Sequence, residues 1–172
     1  MDGTLWVEDG VPWLVFCHEW IQITDGEIAA VRLKADFSDV EGDPVRLFKA
    51  TDAPWVRDLK ELGIGHQGSV YGGCVTDGPF LYRTAKGRLL MIWSSFGVRR
   101  YAETVAWSES GAIGGPWRHA EHPLFDDDGG HGMIFRTFEG QLKLILHQPN
   151  NMPASRARLF DLEDTGDAIR IL

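Results

Sequence analysis

The stretch Asp77-Gly78-Pro79-Phe80-Leu81-Tyr82-Arg83-Thr84-Ala85-Lys86-Gly87-Arg88-Leu89-Leu90-Met91-Ile92-Trp93 runs from a polar-glycine opening through an apolar strand and a Lys86-Gly87 turn into a second apolar strand. The same order recurs on both sides of it. Upstream, Asp2-Gly3-Thr4-Leu5-Trp6-Val7-Glu8 leads through Asp9-Gly10 into Val11-Pro12-Trp13-Leu14-Val15-Phe16. Downstream, His131-Gly132-Met133-Ile134-Phe135-Arg136 leads through Glu139-Gly140 into Gln141-Leu142-Lys143-Leu144-Ile145-Leu146-His147. A short turn carrying glycine between two runs rich in β-branched, aromatic and leucine residues is the signature of a hairpin.

A more polar strand pair follows each hairpin. The expected pairs are Ile21–Ile23 with Glu27–Leu33, Tyr101–Trp107 with Trp117, and Arg156–Leu162 with Ala168–Leu172. Three four-stranded antiparallel units result, about 1–33, 77–118 and 131–172, and tandem units of this kind are the sequence form of β-propeller blades. The expected fold is therefore all-β, one propeller-like domain over residues 1–172. The spacing is uneven, with 75 residues from Asp2 to Asp77 and 54 from Asp77 to His131, which places an insertion at about 34–73. Within it, Asp52 as cap, Pro54 in the first turn, Trp55, Val56, Leu59 and Leu62 at helical spacing, and Gly63 as stop predict one short helix. Gly65 to Gly73 reads as a loop.

Composition narrows the function. Seventeen basic against twenty-five acidic residues leave a net charge of −8, which repels nucleic acid and anionic membrane alike. The longest apolar runs fall far short of the roughly 20 residues that span a bilayer, and the acidic start lacks the basic region of a signal peptide, so the expected location is the cytoplasm. Cys17 and Cys74 show no metal-ligand or CxxC spacing and read as buried thiols. Nucleophile-elbow, zincin, phosphate-loop and dinucleotide motifs are absent, and Asp126-Asp127-Asp128 lacks the alternation of a calcium loop.

In a propeller the inner strands converge on the axis, so Asp2, Asp77 and His131, at equivalent strand openings, are expected to face one another. Two carboxylates and an imidazole there suit acid/base chemistry on a neutral, hydroxyl-rich ligand. Glu19 is a third candidate acid. His18 and His147, at the ends of their hairpins, and Trp20 and Trp93 are candidate substrate contacts, the indoles as platforms for sugar rings. Trp6, Trp13 and Trp117 read as core. For each opening Asp the alternative is a simple turn cap, and for His18 and His147 a hydrogen bond between blades.

Taken together, four segments resemble the family 43 glycoside hydrolases, the arabinanase, arabinofuranosidase and xylosidase group. They are Asp2–Gly10 with Trp13–Trp20, Thr76–Leu81, Trp107–Gly111 with Gly114–Trp117, and Asp128–Phe135, in the family's order and covering nearly the whole chain outside the insertion. The resemblance implies a five-bladed fold of which three blades are present, and an inverting mechanism in which an acid protonates the leaving oxygen, a base activates water and a further Asp tunes the acid. On it, Asp2 looks like the tuning Asp, Asp77 stands where the family has its general acid, and His131 looks like the axial histidine beside a central cation such as calcium in some members. No cofactor is then required for the chemistry. Asp77 replaces the family's usual Glu, and the base lies in a first-blade segment that this chain does not possess. If the chain acts alone, the pair is drawn from Asp2, Asp77 and Glu19. The expected function is a small glycoside hydrolase acting on pentose-containing or related glycosides, the alternative a carbohydrate-binding or inactive remnant. A self-contained monomer closed by the insertion is expected, with a homodimer as the alternative.

Overall fold

The computed structural model describes residues 2–64 and 72–172; the first seven residues of the expected 65–73 loop lie outside them. Among the described residues, twelve strands form three four-stranded antiparallel sheets, each built in chain order. The first holds β1 (Gly3–Glu8), β2 (Val11–His18), β3 (Glu27–Leu33) and β4 (Val40–Lys49). The second holds β5 (Asp77–Arg83), β6 (Leu89–Phe96), β7 (Tyr101–Ser108) and β8 (Trp117–His119), and the third β9 (Gly130–Arg136), β10 (Leu142–Gln148), β11 (Arg156–Asp164) and β12 (Ile169–Ile171). A four-residue helix, α1, spans Trp20–Ile23. Among the described residues no helix is long and apolar enough to cross a membrane.

The three inner hairpins form where turn chemistry dictates. Asp9 and Gly10 both have positive φ, at 51° and 78°, as a two-residue turn between right-twisted strands requires. The other two share one five-residue loop. In Thr84–Arg88 and again in Thr137–Gln141, the first threonine's amide donates to the carbonyl four residues on, its hydroxyl accepts that residue's amide, and a positive-φ glycine sits between.

Packing explains the hydropathy of β6. Leu89, Met91 and Trp93 face the first sheet, where they join Val15, Ile28 and Phe48, while Leu90 and Ile92 face the third, where they join Ile134, Leu144 and Leu146. A strand covered on both faces reads as a continuous apolar run instead of an alternation. The middle sheet is thus sandwiched, and the three sheets form an arc: β5 lies against β1 and β2 on one side and against β9 on the other.

Two expectations within the first unit are corrected. Ile21–Ile23 is part of α1, not a strand, and β3 pairs instead with β4, which lies in the expected insertion and carries the unit to Lys49. Most of β4 is exposed, with Gly42, Asp43 and Pro44 along it, the composition of a protected sheet edge that carries little alternation to detect. The helix expected after Asp52 is replaced by a 3-10 turn at Ala50–Asp52 followed by irregular turns. The Asp52 carboxylate closes that turn by accepting the Lys49 amide at 2.8 Å. Asp58 then accepts the amides of Lys60 and Gly73, pinning the far end of the segment. Trp55 and Val56 enter the seam between the first and second sheets, whereas Leu59 packs with Trp20 and Val75 in a separate cluster. Side chains divided between two sites cannot share one helical face, so tertiary burial overrides the spacing. The described part of the insertion therefore fills the seam of two adjoining sheets and does not bridge the first sheet to the third.

Candidate active site

The openings of β1, β5 and β9 meet as their equivalence requires. Asp77 begins β5 at an irregularity, since its partner is Ser94 while the regular register starts only at Phe80 with Ile92. Such a break re-aims a side chain. Gly78 follows with φ of +51°, and a Cβ there would lie 2.6 Å from the His131 ring, so only glycine lets the third sheet's opening close over the second's. His131 itself has φ of +54°, and its Nδ1 stands 3.8 Å from Asp2 Oδ2. Asp2, Asp77 and His131 are thus brought together, Asp2 and His131 from positions about 130 residues apart in the chain.

Asp77 is the electrostatic centre of the group. Burial pushes its carboxyl up to about 6; the negative charges of Asp2 and Glu19 act in the same direction, and the Tyr101 hydroxyl and His131 oppose it. Tyr101, from β7, donates to Asp77 Oδ2 at 2.8 Å. Burial and the Asp77 carboxylate hold the phenol well above its usual range, so it stays a donor. The His147 ring stacks on Tyr101 with centroids 5.5 Å apart and interplanar angle 19°, and lies 6.5 Å from the His131 ring. His147 Nε2 is fixed by Asn150 Oδ1 at 3.1 Å. A carboxyl raised to about 6, backed by a phenol and beside the His131 imidazole, is suited to give a proton to a leaving oxygen.

The remaining expected residues are placed as follows. Glu19 stands at the N-cap position of α1, close enough for its charge to raise both Asp77 and Cys17. His18 does not join the group: its Nδ1 faces Glu27 at 3.7 Å, across β3. Trp20 and Trp93 are not platforms. Trp93 is fully buried against Phe48, Trp55 and His119, and Trp20 packs against Leu59 and Gly73, so neither presents a ring face to a sugar. Both cysteines are buried free thiols, as expected. Sequence reasoning missed Tyr101, which it read only as a strand residue; its place depends on the β6–β7 register that sets it opposite Phe96 and beside the Asp77–Ser94 pair.

A cation at His131 is a further expectation at this site. His131 Nδ1 beside Asp2 is a two-donor set, and among the described residues no cluster of three His, Cys, Asp or Glu side chains converges to hold a metal ion. Calcium takes six to eight oxygen ligands, so these two side chains by themselves make no protein cage for it.

Among curated proteins none matches the chain. The solved structure of an endo-arabinase from Bacteroides thetaiotaomicron superposes with a TM-score of 0.86 at 42% identity, covering 95% of this chain and 56% of that one. A thermostable family-43 glycoside hydrolase (TM-score 0.75, 17% identity, 99% and 57% covered) and an alpha-L-arabinofuranosidase from Lactobacillus brevis (0.68, 17%, 96% and 54%) share the fold. The chain thus spans little more than half the length of these relatives. The family model of the glycosyl hydrolases of family 43 matches residues 1–165, nearly the entire sequence, and the chain belongs to that family.

Proposed function

We propose that this chain carries a glycosidase centre for arabinose-containing glycosides, with Asp77 as the general acid. The observation that carries the reading is the Asp77 environment: a buried carboxyl raised to about 6 and held by Tyr101 at the mouth formed by three strand openings. Asp2, the stronger of the two carboxylates acting on Asp77, is assigned the tuning role; Glu19 is the candidate for activating water. The pentose preference is supported by the 42% identical endo-arabinase. In the reaction, Asp77 gives its proton to the leaving oxygen as the glycosidic bond breaks. Glu19 accepts a proton from the water that attacks the opposite face of the sugar, and the configuration at the reacting carbon inverts.

Chromogenic arabinofuranosides and linear arabinan, assayed with wild type, Asp77→Asn and Glu19→Gln, test this. Proton donation is worth about 10² to 10⁴ in rate, and both variants are expected to lose activity on that scale. Full activity in Asp77→Asn would sink the assignment. A second reading, carbohydrate binding without turnover, is favoured by Asp77 standing where the resemblance places a Glu, one methylene longer. It predicts no sugar release at concentrations where arabino-oligosaccharides still raise the melting temperature.

A further inference from the structure

Directly beneath the acid centre lies a carboxyl that the chemistry above does not use. Glu103, two residues beyond Tyr101 on β7, is completely buried. Its Oε2 accepts the Ser94 hydroxyl at 2.7 Å and the Gly132 amide at 2.9 Å, and Ser94 Oγ in turn accepts the His131 amide at 2.7 Å. Two side chains of the second sheet therefore hold two consecutive main-chain amides at the opening of the third. The fit is close on both flanks of the histidine: a Cβ on Gly130 would meet Ser94 Oγ at 2.5 Å, and one on Gly132 would meet the Glu103 carboxyl at 3.2 Å. Between these glycines His131 adopts its left-handed conformation, which a residue with a side chain holds only where its surroundings over-determine it. Burying a carboxyl is costly unless it is hydrogen-bonded, and the two bonds that Glu103 accepts come from Ser94 and from the opening of the third sheet.

We propose that Glu103 and Ser94 are positioning residues that hold the His131 main chain in its left-handed turn, so that its imidazole faces Asp2 and covers Gly78 next to Asp77. The proposal rests on the reading of Asp77 as the acid and extends it to a layer of residues that never meets the sugar. The carboxyl serves as an acceptor and not as a charge. Burial raises it to about 8, against the pull of the Ser94 hydroxyl and the Gly132 amide, which favours the neutral form at pH 7. Its second oxygen, Oε1, is buried with no hydrogen-bond partner among the described residues. Glutamine reproduces the acceptor; alanine does not.

The test compares Ser94→Ala, Glu103→Ala and Glu103→Gln in the full chain by histidine-selective NMR, with kcat and KM on an aryl arabinofuranoside measured alongside. Ser94→Ala and Glu103→Ala are expected to shift the His131 ring resonances while those of His18 and His122 stay in place, and to lower kcat at least tenfold with KM within about threefold. Glu103→Gln is expected to keep the wild-type His131 signals and most of kcat. Should Glu103→Ala fail to fold, Ser94→Ala decides. The proposal is overturned if a cooperatively folded Ser94→Ala leaves the His131 resonances unmoved, if Ser94→Ala cannot fold, or if glutamine is as damaging as alanine. Because the NMR arm needs no turnover, a wild type without glycosidase activity would refute the functional reading while the positioning role is still decided.

Discussion

At the scale of single residues, Asp77 stores a cost that pH can reveal. Its folded carboxyl binds a proton more tightly than the ordinary value of 3.8, so the native state is favoured by that proton at low pH, and the benefit is lost as pH rises from about 4 through 6. Ionised Asp77 then destabilises the fold by an amount on the order of 1–3 kcal/mol. Asparagine keeps an acceptor for Tyr101 and removes the charge. Asp77→Asn is therefore expected to be more stable than wild type in urea at pH 8 and to converge with it at pH 4; an advantage independent of pH would contradict the burial of the charge. Tyr101 acts on the same group in the opposite sense, since its hydrogen bond lowers the Asp77 carboxyl. Tyr101→Phe should move the alkaline limb of the rate profile to higher pH, and an unchanged limb would show that the limb belongs to another group.

At the scale of elements, β6 carries the fold, because it contributes side chains to both inter-sheet seams at once. Trp93, wholly buried and ringed by Phe48, Trp55 and His119, is the largest of them. Trp93→Ala should cost about 3–5 kcal/mol in urea unfolding. If it instead weakened sugar binding with stability intact, the indole would be a platform after all. The periodic reading succeeded for β6 and failed for residues 52–63 for one reason: periodicity reports burial without saying in which direction. In β6 the continuous run matches two covering sheets, whereas Trp55 and Leu59 keep helical spacing while packing into different clusters.

At the scale of the whole molecule, the arc leaves its two end sheets with apolar outward residues. Leu5 and Val7 on β1 are 52% and 53% exposed, and Met133 and Leu159 on the third sheet 51% and 62%. A monomer closed by the insertion would cover such faces, but the described insertion sits in the first seam. The isolated chain is therefore expected to self-associate at micromolar concentration, and sedimentation should show species above 19.3 kDa that recede when Leu5 and Leu159 are both replaced by lysine. A single 19.3 kDa species at all concentrations would mean that these faces are tolerated in water.

Sequence alone determined the features that depend on neighbours along the chain: the three hairpins with their glycine turns, the sheet content, and the equivalence of Asp2, Asp77 and His131 at the strand openings. These follow from turn conformations and strand alternation, which act over a few residues. Only the tertiary structure decided which tryptophans are core, that His18 turns to Glu27, that β4 completes the first sheet, and that Tyr101, Ser94 and Glu103 stand behind Asp77 and His131. Each of these is set by cross-strand register or by packing between sheets, where residues tens of positions apart compete for the same space, and no local pattern encodes the outcome of that competition.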